Sequence, residues 1–297
     1  KDDEVFLPTA DRQWNSQRYH TKLDHTAKVF ASCGDHLPVL IGLCEVENRS
    51  VLNDLVKEAQ INSANYEIIH YDSPDERGID VALLYNPKSF TPLHSEAIHV
   101  TLPGDSVDYT RDILYVTGDL MIGDKKNTVH VFVNHWPSRT EGEEVSAPKR
   151  AAAAAVLKHA VDSINTTVKD ANIIIMGDFN DTPFDKSITS VLEAKQSGET
   201  ITNTDLVNLV GEKQKNGEGS YNYKGNWQCL DQFIVSGVLT DGKKLDVALL
   251  SVGYVKKDFL LYHSEKYGDS PDRTYSGTKY IGGYSDHLPI YMELILQ

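Results

Sequence analysis

A mixed α/β fold, with β-sheets flanked by helices, is what the sequence predicts, and three observations predict it. Apolar runs of strand length outnumber helical patterns along the 297 residues. Both hairpin-length and crossover-length connections separate them, which excludes a purely parallel doubly wound sheet. One long alanine-rich stretch, Ser146 to Ile164, has the composition of a helix.

The elements follow in order. Arg18 to Cys33 places Leu23, Ala27, Phe30 and Ala31 at helical spacing and stops at Gly34. Leu37 to Cys44 is a continuous apolar run, the mark of a central strand, and it ends at Glu45. Asn48 or Ser50 caps the next helix, whose apolar face is Val51, Leu55, Val56 and Ala59. Strands are predicted at Tyr66 to Tyr71, Ile79 to Tyr85, Ile98 to Leu102, Ile113 to Ile122 and Val129 to His135. After the alanine-rich helix come strands at Ile173 to Met176, Leu230 to Val235, Leu245 to Val255 and Leu288 to Leu296. Nothing resembles a linker, a repeat or a low-complexity tract, so residues 1–297 are expected to form one domain.

Composition narrows the function. The 43 acidic and 29 basic residues leave a formal charge of −14, which disfavours tight, sequence-indifferent binding to a long polyanion. A phosphate substrate stays open, because a divalent cation and a few arginines reverse the field locally. No apolar stretch approaches the roughly 20 residues of a membrane span. The first residue is Lys1, which suggests a trimmed chain, so localisation is left open, secreted or periplasmic included. Cys33, Cys44 and Cys229 lack metal-type spacing and read as reduced residues, Cys44 and Cys229 in the core.

Polar residues suited to phosphoryl chemistry recur where apolar strands end. Asp178 and Asn180 follow Ile173-Ile174-Ile175-Met176-Gly177; two residues apart in an extended segment, they address one phosphate, water or metal together. The same letters also make a turn. Glu45 ends the Leu37 strand, or merely favours the helix start beyond it. Asn134 and His135 end another strand, where a turn histidine beside Trp136-Pro137 is the alternative. Asp231 sits in an apolar run, where a lone carboxylate is costly without a partner. Ser285-Asp286-His287 precede the last strand, as a site or as a plain turn.

In this conjunction the chain resembles the endonuclease/exonuclease/phosphatase superfamily, which includes pancreatic-type deoxyribonuclease, abasic-site endonucleases, neutral sphingomyelinases and inositol polyphosphate 5-phosphatases. The matching motifs are Leu43-Cys44-Glu45-Val46-Glu47, Asn134-His135-Trp136, Gly177-Asp178-Phe179-Asn180, Leu230-Asp231-Gln232 and Ser285-Asp286-His287-Leu288-Pro289-Ile290, in family order. The resemblance implies a four-layer α/β sandwich, two packed mixed sheets flanked by helices, with the site at one edge. It implies a Mg²⁺-dependent attack of water on phosphorus, with Mn²⁺ as a substitute. Carried over, Glu45 is the metal ligand with Asp286 near or on the same cation. Asp178 activates or orients the water, Asn180 holds a phosphate oxygen, and His287, oriented by Asp231, stabilises charge or acts as acid/base. His135 is typical of the deoxyribonuclease-like and sphingomyelinase-like branches, and Arg111 matches a phosphate-contacting position there, unless it forms a salt bridge with a neighbouring acid. Independently of the family, an anionic ester repels nucleophiles, so its hydrolysis needs a cation, a carboxylate to position water and a protonatable imidazole.

The pattern departs from the family at its start. Members begin with a central strand ending in an Asn beside the metal and phosphate, but Lys1 to Gln17 has no strand period. Trp14-Asn15 imitates the motif in letters only. The expectation is a chain supplied from downstream of that strand, since a missing central strand leaves its neighbours' backbone groups unpaired. The long Lys256 to Tyr284 loop, with its tyrosines and Arg273, is expected to wall the substrate pocket, the other reading being tyrosines that pack the loop on itself. The expected substrate-binding residues are therefore Arg111, Asn134 and Arg273, and no protein partner is predicted. The substrate is a phosphodiester or phosphomonoester, nucleic acid among them. The alternatives are a phosphatase or phospholipase C-type member acting on inositol phosphates or sphingomyelin, and a non-catalytic binding protein of the same fold.

Overall fold

The computed structural model describes residues 4–104, 109–248 and 251–297. In chain order it runs α1 (Ser16–Ala31), β1 (Leu40–Val46), α2 (Arg49–Leu55), β2 (Glu67–His70), β3 (Asp80–Tyr85), β4 (Phe90–Ile98), β5 (Ile113–Ile122), β6 (Lys125–His135) and α3 (Glu143–Thr167). The chain continues through β7 (Asn172–Asp178), β8 (Lys195–Gln196), β9 (Leu206–Asn208), α4 (Gly211–Lys215), β10 (Tyr221–Tyr223), β11 (Asn226–Gln228) and β12 (Asp231–Ser236). Short strands follow: β13 (Leu245–Val247), β14 (Gly253–Tyr254), β15 (Leu261–Ser264), β16 (Gly268–Pro271), β17 (Tyr275–Ser276), β18 (Lys279–Tyr280), β19 (Ile290–Tyr291) and β20 (Leu294–Leu296).

Two sheets dominate. The larger has seven strands in the order β4-β5-β6-β7-β12-β9-β8, and it is mixed, because β6 and β7 are parallel while β12 is antiparallel to β7. The smaller, β1-β3-β2, is antiparallel in its described strands. Alternation along each strand builds the layers. In β7, Ile174 and Met176 face the core between the sheets, shared with Leu83 of β3 and Val131 of β6. Ile173 and Ile175 face the other way, onto Ala153, Ala154 and Leu157 of α3. In β3, Ala82 and Leu84 turn outward onto Leu23 and Ala27 of α1 and Leu52 of α2. Helix, sheet, sheet and helix therefore stack as four layers. Each fully buried Leu, Ile or Val contributes about 1.5–3 kcal/mol.

Several expected boundaries move. The strand expected at Ile98 to Leu102 is instead Phe90–Ile98, hidden from the pattern by Pro92, which an edge strand tolerates at a register shift. The stretch expected as one strand from Leu245 to Val255 contains β13 and β14, and its residues 249–250 lie outside the described residues. Leu288 to Leu296 divides into β19 and β20. Asn15 belongs to no strand; its side chain accepts a hydrogen bond from the Arg18 backbone N–H and caps α1.

The Lys256 to Tyr284 stretch forms two small hairpins, β15 with β16 and β17 with β18. Tyr275, Tyr280 and Tyr284 pack on the N-terminal segment and α1, while Tyr262 and Tyr267 are exposed. The Tyr275 hydroxyl donates to the Arg12 carbonyl, the Arg18 guanidinium lies 4.2 Å from the Tyr280 ring centre, and His25 stacks on Tyr284 at 4.3 Å.

Candidate active site

Strand register brings three of the expected residues onto one rung. β6 meets β7 with His135 opposite Asp178, and β12 meets β7 with Asp231 opposite the same Asp178. Residues opposite one another on neighbouring strands put their side chains on one face. Gly177, one residue earlier, has φ 130°, and a Cβ there would collide with the Asn134 carbonyl oxygen, so glycine alone permits this approach of β6 and β7.

The turn after β7 orients the acid. The Asn180 backbone N–H donates to Asp178 Oδ1 at 2.8 Å, and Asn180 Nδ2 donates to Asp178 Oδ2 at 3.2 Å and to the Trp136 carbonyl at 2.9 Å. Asn180 itself is left-handed, φ 51°, a conformation asparagine tolerates better than most residues. A buried ionic network holds this turn from behind. Arg139 Nε donates to the Asn180 carbonyl at 2.5 Å, and Arg139 Nη2 pairs with Asp181 at 3.1 Å and Asp185 at 3.0 Å. Arg150 of α3 reaches Asp181 Oδ1 at 2.6 Å as an ion pair off its N–H axis, while its other nitrogens donate to Ser146 Oγ and the Glu143 carbonyl.

His287 supplies the partner that Asp231 requires: its Nδ1 lies 2.6 Å from Asp231 Oδ2. Burial alone would lower the imidazole pKa, but the Asp231 and Asp178 carboxylates outweigh it and raise the pKa to about 10. His287 is thus an imidazolium near neutrality. Asp178 moves the other way from an ordinary carboxylate. Burial pushes its pKa up to about 7, with His287 opposing and Asp231 adding to the rise. His135 Nε2 is 3.7 Å from Asp178 Oδ2, and burial, reinforced by Arg111 and Arg77, holds its pKa well below the usual histidine value, so it is neutral. Its Nδ1 is buried with no hydrogen-bond partner among the described residues.

Glu45 and Asp286 line the same cleft as Asp178, Asn180, Asp231, His135 and His287. Glu45 has φ 58° at a register irregularity of β1, an uncommon backbone for a glutamate. Both carboxylates are without hydrogen-bond partners among the described residues. Each attracts the same ammonium, Lys22 of α1, which donates to the Tyr284 carbonyl and to Thr274 Oγ1 and whose pKa burial lowers.

The expected substrate-binding residues do not line this cleft. Arg111 is a buried clamp: it donates to Asp75 Oδ2 at 2.9 Å and to the carbonyls of His135 and Trp136, so neither the phosphate contact nor the surface bridge describes it. Asn134 is fully buried behind the rung, its Oδ1 accepting from Trp136 Nε1 and its amide donating to the Met176 carbonyl. Arg273 lies half-buried among the hairpins, its guanidinium without a hydrogen-bond or ion-pair partner among the described residues. The cations that do line the cleft are Lys22, Arg77 and Arg139. No motif marked them, because α1 and the loops carrying them gain their position only through packing.

Among the described residues, two side-chain groups have metal-ligand spacing. Asp178, Asp231 and His287 have ligand atoms within 4.8 Å of one another, as do His70, Asp72 and Asp80. In the second group, away from the cleft, Asp80 is consumed by His70 at 3.0 Å and the Ser73 N–H at 2.7 Å. In the first, His287 and Asp231 are each other's partner. Glu45 and Asp286 add free hard oxygens beside it, the donor type that Mg²⁺ and Mn²⁺ favour.

A sequence profile of the Endonuclease/Exonuclease/phosphatase family matches residues 1–295. The chain belongs to this family. Its general chemistry is therefore the hydrolysis of phosphoric esters. Solved structures share the fold of this family member over most of their length. A mannosyl-6-phosphatase of Bacteroides thetaiotaomicron is 16% identical, with 94% of this chain and 92% of that one covered and a TM-score of 0.60. A humanized D. rerio TDP2 is 13% identical, covering 95% and 94%, with a TM-score of 0.60. The human Nocturnin catalytic domain with a bound sulfate is 16% identical, covering 88% and 82%, with a TM-score of 0.53. Comparison with curated protein sequences found no match.

Proposed function

We propose that this family member is a divalent-metal-dependent phosphodiester hydrolase, with Mg²⁺ the resident cation, in which water attacks phosphorus. The observation that carries the reading is the rung His135–Asp178–Asp231 with His287 paired to Asp231 and two carboxylates, Glu45 and Asp286, in the same cleft with no hydrogen-bond partner among the described residues.

Glu45 and Asp286 would hold the cation, which when bound neutralises nonbridging oxygens and eases departure of the leaving oxygen. Asp178 orients the attacking water and takes its proton; a carboxylate poised near pH 7 is matched to that task. The imidazolium of His287, held by Asp231, donates to a phosphoryl oxygen as charge develops. Asn180 acts differently from the sequence expectation. Its amide hydrogens are committed to Trp136 and Asp178, so it fixes the Asp178 carboxylate and leaves only its Oδ1 for a ligand. Lys22, Arg77 and Arg139 at the cleft draw an anionic ester to a chain whose overall charge is −14.

The test is turnover of bis(p-nitrophenyl) phosphate, p-nitrophenyl phosphate, plasmid DNA, sphingomyelin and inositol phosphates with Mg²⁺, Mn²⁺ or EDTA, for the chain and for Asp178→Asn. Diester cleavage that EDTA abolishes and Asp178→Asn removes is expected. Turnover in EDTA, or in the variant, refutes the mechanism; monoester turnover alone reassigns the substrate class.

A further inference from the structure

Lys22, Arg77 and Arg139 all line the cleft, and their surroundings separate them. Arg139 is spent on the turn after β7, its nitrogens committed to the Asn180 carbonyl, Asp181, Asp185 and Glu143. Arg77 is half-exposed, with its Nε 3.6 Å from the Asp75 carboxylate. Of the three, Lys22 alone is held by neutral oxygens. Its ammonium donates to the Tyr284 carbonyl and, at 3.3 Å, to Thr274 Oγ1, and no carboxylate pairs with it among the described residues. An ammonium has three N–H groups, so one remains for a ligand.

Three side chains along one side of α1 clasp the same two residues. Besides Lys22, His25 stacks on the Tyr284 ring at 4.3 Å with its Nδ1 3.5 Å from the Gly283 carbonyl, and Lys28 Nζ donates to the Tyr284 hydroxyl at 2.9 Å. Gly283 sits so close to Asp272 that a Cβ there would collide with the Asp272 carbonyl oxygen. Ser285, Asp286 and His287 follow directly in the chain. The clasp therefore fixes Lys22 relative to the segment that carries Asp286 and His287.

Charge explains why an unpaired ammonium is kept there. Burial disfavours the charged form of Lys22, while Asp286 and Glu45 favour it. With Asp178 ionised, the cleft holds four carboxylates, Glu45, Asp178, Asp231 and Asp286, against the imidazolium of His287. A divalent cation on Glu45 and Asp286 brings the positive charges to three, and Lys22 makes four. Lys22 is then no longer answered by Glu45 and Asp286, and an incoming anionic ester is its counter-ion.

We propose that Lys22 binds the phosphoryl group directly, donating its remaining N–H to a nonbridging oxygen, whereas Arg77 and Arg139 act on the substrate only through their field. Lys22 is thus the fixed positive charge of the site that a bound cation complements. The assignment rests on the hydrolase reading of this cleft and goes beyond it by choosing among its cations.

Two probes that need no turnover test it. Binding of inorganic phosphate is followed by calorimetry with Mg²⁺ and with EDTA, and binding of Mn²⁺ by electron paramagnetic resonance, for the chain, Lys22→Met, Arg77→Met and Thr274→Val. Circular dichroism checks folding. Lys22→Met is expected to weaken phosphate about tenfold or more, the scale of one lost charge-assisted hydrogen bond, and to tighten Mn²⁺, because a positive charge beside Glu45 and Asp286 has gone. Opposite signs distinguish this from a distorted site, which weakens both. Arg77→Met, the loss of a half-exposed and screened charge, is expected to weaken phosphate less than about threefold. Thr274→Val keeps the ammonium and removes one of its acceptors, so Mn²⁺ affinity is expected to hold. Absence of phosphate binding in the chain itself, unchanged phosphate affinity in Lys22→Met, both affinities falling together, or a larger loss in Arg77→Met each overturn the assignment. In a chain that binds no Mn²⁺ the divalent-metal reading fails by itself; loss of phosphate in Lys22→Met with EDTA still supports Lys22, and no loss overturns it.

Discussion

β7 and β1 both deliver acids to the same cleft, and they do so from opposite kinds of surroundings. Each is an apolar run ending in a carboxylate, Asp178 on one and Glu45 on the other. β7 lies between β6 and β12, and Ile173, Ile174 and Ile175 are at most 1% exposed. Among the described residues β1 is paired on one side, and its equivalent apolar residues are half-buried. The difference teaches that apolar content specifies what a strand can bury, and pairing on both edges decides whether it does. It also divides the site into a wall held on both edges, Asp178 with its backbone and ionic supports, and the wall of β1, which is paired with β3 alone among the described residues.

The largest expected effect is on the wall held on both edges. Asp178→Asn keeps the size of the side chain but removes the base, and turnover of a diester should fall by about 10³-fold, within the range of a lost general base. Circular dichroism should show the fold retained. Next is the ionic support. Arg150→Met leaves Asp181, in a buried setting, with Arg139 as its remaining cation beside the Ser187 hydroxyl, and urea unfolding should show a loss of about 3 kcal/mol; no loss would remove the network from the account of rigidity.

The comparison itself is sharpened by a pair of truncations. Ile174→Ala in β7 should cost about 3 to 4 kcal/mol, as a fully buried aliphatic does. Leu43→Ala in β1 should cost about half of that or less, because Leu43 is only partly buried. Equal costs would show that β1 is as tightly packed as β7.

The smallest effect is a titration. The His287 pKa lies above its unfolded value, raised to about 10, so its contribution to stability is full below the ordinary histidine pKa and is lost as pH rises through about 10. Asp231→Asn removes the partner at 2.6 Å, and the imidazole titration followed by NMR should drop toward neutrality. An unchanged titration would make Asp178 the dominant partner.

Much of this was legible in the sequence because the relevant signals are local. The continuous apolar runs of β3 and β7, the alanine-rich helix and the polar strand ends are set by short-range patterns, and all five motif segments reach the cleft or its immediate backing. Asp231 could be assigned a partner before any fold was known, because an apolar neighbourhood makes a lone carboxylate costly. Arg111 and Asn134 show where such reasoning stops. Nothing local distinguishes a guanidinium facing substrate from one wired to three groups behind the site, since its partners Asp75, His135 and Trp136 come from separate segments.

By itself, then, the sequence determined the fold class and the family, because side-chain pattern and motif order need no knowledge of contacts. Only the tertiary structure decided that His135, Asp178 and Asp231 share one rung, and that Lys22, Arg77 and Arg139 are brought to the cleft. Register, burial and edge pairing are relations between segments far apart in the chain, and they exist only once those segments have packed.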